Sequence, residues 1–120
     1  MREILVVDDE VDVCRSLQKY LSLKGYEVTY AMTGEAALEI IRHQPPLLVL
    51  LDICLPGMGG VELLVRLKDA WPDLPVLMVT AVNEEELGRQ TLKLGALDYI
   101  TKPIDLSYLE TSILASIFAD

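Results

Sequence analysis

The chain is poor in the residues on which metal and nucleophile centres most often rest. Among 120 residues it has one histidine, His43, and two cysteines, Cys14 and Cys54. Two such isolated thiols make no zinc-binding pattern. His43 has no partner at ligand spacing, and its place at the end of a helix-like segment suits a side chain favoured by the helix dipole. Positive charge is also scarce: ten basic side chains stand against nineteen acidic ones, a net charge of −9. Direct binding to nucleic acid or to an anionic membrane surface is therefore not expected. No apolar run approaches the roughly 18–20 residues of a membrane span. Met1-Arg2-Glu3-Ile4 lacks the layout of a signal peptide, so a cytoplasmic location is expected. A disulfide is not expected there. Cys14 falls on the apolar face of a helix-like segment and reads as a small buried thiol. Repeats, low-complexity tracts and linkers are missing too.

What remains is apolar and regularly ordered. Hydrophobic residues make up 52% of the chain, enough to cover both faces of one sheet in a single domain over residues 1–120. Strand candidates are Ile4–Val7, Glu27–Ala31, Leu47–Leu51, Val76–Thr80 and Asp98–Thr101. The third and fourth are solidly apolar, as strands buried on both faces are.

Helix-period segments lie between them. Val11, Cys14, Leu17 and Leu21 share a face, and Gly25 supplies a stop. Thr33 or Gly34 opens a second helix carrying Ala37, Leu38 and Ile41, which ends before Pro45-Pro46. A third runs from Gly60 to Ala70 with Val61, Leu64, Val65 and Leu67, ahead of Trp71-Pro72. A fourth is expected over 83–94, capped by Asn83 with three glutamates at its positive end. The last carries Leu106, Leu109, Ile113 and Ile117. Such alternation predicts an α/β fold with a parallel sheet and helices on both faces. Ligands of such sheets sit at the carboxyl ends of the strands.

Those ends carry Asp8-Asp9-Glu10, Asp52, Thr80 and Thr101-Lys102-Pro103. If the strands are neighbours, aspartates converge at one edge and repel one another. A hard divalent cation with oxygen ligands relieves that repulsion, which suits Mg²⁺. Lys102 would add a fixed positive charge and Thr80 a hydroxyl. Together these groups could cradle a phosphoryl group on a carboxylate, because phosphoryl transfer needs mainly positioning and charge neutralisation. Taken singly, each has a plainer reading. Asp8 or Asp9 could cap the first helix, Asp52 could be a turn residue, Thr80 a strand terminus and Lys102 a solvated side chain.

Val6-Val7-Asp8-Asp9-Glu10, the run from Leu51 through Asp52, Leu55-Pro56-Gly57 and Gly60, Val79-Thr80-Ala81, Gly95-Ala96 and Asp98 to Pro103 jointly resemble the response-regulator receiver family of two-component signalling systems. The resemblance covers essentially the whole chain. It implies a flavodoxin-like (βα)5 three-layer sandwich with strand order 2-1-3-4-5. It further implies that Asp52 accepts a phosphoryl group from a phosphohistidine on a sensor histidine kinase or histidine phosphotransfer protein. Asp9 and Asp52 would ligate Mg²⁺ (or Mn²⁺) directly, Asp8 through a water, with the backbone carbonyl of Cys54 completing the set. Lys102, Thr80 and the backbone N–H of Ala81 would contact phosphoryl oxygens. Thr80 and Tyr99 would act as the switch pair, and the Lys102–Pro103 peptide bond would be cis. The output would pass through the face of the fourth helix, fifth strand and fifth helix to a downstream domain or partner protein. Catalysis would be limited to the domain's own phosphorylation and dephosphorylation.

Two departures stand out. Cys54 and Val82 hold positions that the family uses to tune phosphoryl lifetime, and neither can position an attacking water, so slow self-dephosphorylation is expected. Gly88 inside the fourth helix costs about 1 kcal/mol relative to alanine and suggests a mobile helix or a neutral surface position. Leu114 and Phe118 broaden the apolar stripe of the last helix, for core burial or for a phosphorylation-dependent homodimer. Two rival functions fare poorly. A phosphohydrolase resembling haloacid dehalogenases needs a second acid where Cys54 stands. A flavodoxin needs a phosphate-cradling first loop, which Asp8-Asp9-Glu10 would repel.

Overall fold

The computed structural model describes residues 3–118, apart from the side chain of Val82. Five strands, β1 (Glu3–Val7), β2 (Glu27–Ala31), β3 (Leu48–Asp52), β4 (Val76–Thr80) and β5 (Asp98–Thr101), form one parallel sheet in the order β2-β1-β3-β4-β5. The helices α1 (Val11–Leu23), α2 (Gly34–His43), α3 (Gly60–Ala70), α4 (Glu85–Lys93) and α5 (Leu106–Ile117) alternate with them. This is the flavodoxin-like arrangement.

The period of two along each strand sorts its side chains between the layers. Leu5, Val7, Val49, Leu51, Val76 and Met78 point to one face and meet Ala37 and Ile41 of α2 and Leu63, Leu64 and Leu67 of α3. Ile4, Val6, Leu48, Leu50, Leu77 and Ile100 point to the other, against Cys14, Leu17 and Leu21 of α1 and Leu109 and Ile113 of α5. All five residues of β3 and of β4 are buried, which is why neither alternates in hydropathy.

Local signals place the helix ends. Thr33 caps α2, its hydroxyl accepting from the Ala36 N–H at 3.1 Å. Asp105 caps α5, accepting from Ser107 and Tyr108. After α1 the chain turns through Gly25 at φ +94°, and the Gly25 and Tyr26 N–H groups close on the Ser22 and Leu21 carbonyls. Neither Asp8 nor Asp9 caps α1: the capping position is Glu10, and its side chain makes no capping bond.

Three expectations are corrected. Asn83 does not cap the fourth helix, because a 3₁₀ turn, Val82–Glu84, precedes α4, which starts at Glu85. The buried stripe of α3 is Gly60, Leu63, Leu64 and Leu67, leaving Val65 about half exposed. Leu114 and Phe118 are exposed, so core burial does not account for them. No helix among the described residues is long and apolar enough to cross a membrane.

Candidate phosphoacceptor site

Strand register builds the site. Val7 lies opposite Leu51, so the next residues, Asp8 and Asp52, emerge side by side from β1 and β3. Thr80 lies opposite Thr101, which sets Lys102 one step beyond the same edge. Alternation then selects the face. Asp8, Asp52 and Lys102 continue the rows of Val6, Leu50 and Ile100, whereas Thr80 and Tyr99 continue the rows that face α3 and α4.

Both aspartates are nearly buried, Asp8 at 2% and Asp52 at 7% exposure. Each spends one oxygen on its own loop: Asp8 Oδ1 accepts from the Glu10 N–H at 2.9 Å, and Asp52 Oδ1 from the Cys54 N–H at 3.0 Å. Their other oxygens converge on Lys102 Nζ, at 3.1 Å from Asp8 Oδ2 and 3.2 Å from Asp52 Oδ2. Glu10 Oε1 adds a contact at 2.8 Å. Burial, and behind it the Asp8 charge, pushes the Asp52 carboxyl above the usual carboxylate range, against the Cys54 N–H and Lys102. Burial also works against the Lys102 charge. The hydrogen bonds to Glu10 and Asp8 and the Asp52 charge outweigh it, so the ammonium is held more firmly than in water.

Carboxylate oxygens of Asp8, Glu10 and Asp52 lie within 4.8 Å of one another. Three carboxylates about one ammonium leave an excess of two negative charges on a hard, all-oxygen donor set, which fits a divalent cation such as Mg²⁺. Asp9 is exposed and outside this cluster, but it lines the same cleft of about 350 Å³, together with Glu10, Asp52, Cys54, Ala81, Glu84 and Lys102. On the far face the Thr80 hydroxyl is fully buried with no hydrogen-bond partner among the described residues. Tyr99 is half-buried beside it, and the Lys102–Pro103 peptide bond is cis.

Three residues had no site role in the sequence reading. In the sequence Glu10 is only the last member of the acidic run Asp8-Asp9-Glu10. Glu84 accepts a hydrogen bond from the exposed Cys54 thiol at 2.8 Å, and that bond, more than burial, pushes the thiol up to about 11. Gly88 is buried rather than on the surface: a Cβ there would lie 2.9 Å from both Thr80 Cγ2 and Tyr99 Cδ1. The glutamate run and the helical glycine were visible signals. Their contacts depend on how α4 docks.

Fold and cleft thus define a doubly wound α/β domain with an acidic, lysine-bearing site at the carboxyl edge of its central strands. The family model described as response regulator receiver domain matches residues 4–114. Transcriptional regulatory protein ZraR of Escherichia coli (strain K12) is 41% identical over 111 residues, 92% of this chain and 25% of that protein. KdpE of Mycobacterium tuberculosis is 36% identical over 98% of this chain and 51% of its own length. The chain thus spans about a quarter to a half of these curated relatives. Among solved structures, the receiver domain of NtrX from Brucella abortus superposes with a TM-score of 0.94 at 35% identity, covering 98% of this chain and 99% of that one. A CheY-like receiver domain from Methanospirillum hungatei gives 0.91 at 34% identity, covering 98% and 94%. The chain belongs to the response regulator receiver domain family of two-component systems.

Proposed function

We propose that the chain, as one receiver domain over residues 1–120, is a phosphoacceptor switch whose Asp52 takes a phosphoryl group from a phosphohistidine. The observation that carries this reading is the meeting of Asp8 and Asp52 on Lys102, at 3.1 and 3.2 Å, at the edge where ligands of such sheets bind. An Asp52 carboxylate oxygen attacks phosphorus, the P–N bond breaks, and the imidazole nitrogen keeps the bonding pair. An acyl phosphate remains on Asp52.

Lys102 then changes partner from carboxylate to phosphoryl oxygen, and the orphaned Thr80 hydroxyl gains an acceptor. The Ala81 N–H is an added donor at the cleft wall. Mg²⁺ or Mn²⁺ held by Asp52, Asp9, Asp8 through a water and the Cys54 carbonyl would supply neutralisation of the phosphoryl charge, with Glu10 at the same cluster. As Thr80 turns toward the phosphoryl group, Tyr99 takes the space it leaves. The face of α4, β5 and α5 responds, serving a downstream output or a phosphorylation-dependent homodimer. An interaction difference of about 1–3 kcal/mol is enough to shift such an equilibrium. Leu114 on α5, 44% exposed, and Phe118 just past its end, 77% exposed, stand ready for such a contact.

The donor would be a sensor histidine kinase or phosphotransfer protein of the cytoplasm. The chain would act on no substrate but its own Asp52. Self-dephosphorylation is expected to be slow, with Cys54 and Val82 (its side chain outside the described ones) in place of acids or amides; a half-life of seconds would contradict this. The test is incubation with acetyl phosphate and Mg²⁺ followed by intact mass. A gain of one phosphoryl group, abolished by Asp52→Asn or by chelator, is expected, and an unchanged mass would reject the reading.

A further inference from the structure

We propose that Glu84, moored across the cleft mouth by the Cys54 thiol, is a charge filter that slows phosphorylation by small anionic donors; the inference rests on the phosphoacceptor reading of Asp52. Two observations carry it. Glu84 Oε1 lies 2.8 Å from Cys54 Sγ, so a side chain from the turn after β4 is tied to the loop after β3. Both residues line the cleft that holds Asp52 and Lys102.

The walls of that cleft carry the carboxylates of Asp9, Glu10, Asp52 and Glu84 against the single ammonium of Lys102. Lys102 is already engaged by Asp8, Glu10 and Asp52, so its charge is compensated inside. Glu84 has no cationic partner among the described residues, and its one hydrogen bond comes from a neutral thiol. Its charge therefore faces whatever enters. A free phosphoryl donor approaches as an anion, and a like charge in a confined cleft lowers its local concentration and its rate of entry. The thiol matters because it holds the carboxylate over the mouth instead of letting it swing into water.

Charge dependence tests this directly. Initial rates of Asp52 labelling are measured by intact mass, at one fixed Mg²⁺ concentration, with acetyl phosphate, a dianion at neutral pH, and with phosphoramidate, largely a monoanion. Glu84→Gln should speed labelling by acetyl phosphate roughly three- to tenfold at low ionic strength. It should help phosphoramidate less, and the gain should shrink as salt rises. Cys54→Ala, which leaves Glu84 charged but unmoored, should give a smaller gain of the same kind. An unchanged or slower rate in Glu84→Gln would overturn the filter, and so would an equal gain for both donors at every salt concentration. Absence of labelling by either donor in the unmutated protein would reject the Asp52 reading itself, and the filter with it. Circular dichroism of each variant checks that the fold is intact.

Discussion

At Lys102 an ammonium is shared by three carboxylates, two of them almost shut off from water. Removing it would leave Asp8 and Asp52 buried without a counter-charge, so Lys102→Met should cost about 3 kcal/mol at neutral pH. The loss should be read as a lower urea midpoint. It should fade in acid as Asp52, whose carboxyl burial raises above the usual range, becomes protonated, and an unchanged midpoint would contradict it. Asp52 titrates with the opposite sense from a salt-bridged surface acid. Its folded-state pKa is raised, so its contribution to stability is present in full below the unfolded value and is lost as pH rises through the folded one. Without metal, Asp52→Asn should therefore melt above the parent at pH 7, with the gap closing toward pH 4. A lower melting temperature at pH 7 would refute that sign.

Helix α4 is where a small residue governs a contact between elements. Gly88→Ala should gain about 1 kcal/mol of helix propensity, yet its Cβ would press on the Thr80 methyl and the Tyr99 ring at once. We expect the crowding to win, for a net loss of about 1–2 kcal/mol in chemical denaturation. A shifted Tyr99 ring resonance should accompany it before any phosphorylation, whereas a stabilised variant with an unmoved ring would show the contact to be soft. The helix also marks the limit of reading by sequence. The strands β2, β4 and β5 and the helix α3 have the bounds expected from runs and breakers, because hydropathy and Pro or Gly punctuation act locally. The start of α4 differs from expectation: Asn83 has the composition of a cap, but the Glu84 N–H closes on the Ala81 carbonyl and the turn tightens to 3₁₀. In α3 the segment holds more apolar residues than one stripe can bury, so Leu63 against Val65 was decided by the sheet beneath. The site divides in the same way. Asp52, Thr80 and Lys102 follow from strand ends, while the roles of Glu10, Glu84 and Gly88 need the third dimension.

Across the whole molecule, one sheet separates the charged cluster from the Thr80 and Tyr99 pair. Asp8, Asp52 and Lys102 share the face of α1 and α5, whereas Thr80 and Tyr99 lie on the face of α3 and α4; Asp8, Asp52, Thr80 and Lys102 meet at one edge, with Tyr99 further back along β5. A phosphoryl group on Asp52 would sit where it can touch Lys102 from one side and draw Thr80 from the other. Divalent cation binding to the acidic edge should stabilise the folded state only, by about 2.7 kcal/mol at a hundredfold excess over Kd. A thermal melt with and without Mg²⁺ checks this, and no shift would count against the site. The most direct trial is to treat the protein with acetyl phosphate and Mg²⁺, reduce it with borohydride, which turns an aspartyl phosphate into homoserine, and sequence the peptides by mass spectrometry. The account predicts homoserine at position 52; reduction at another position, or a phosphoryl label that borohydride leaves untouched, would contradict it.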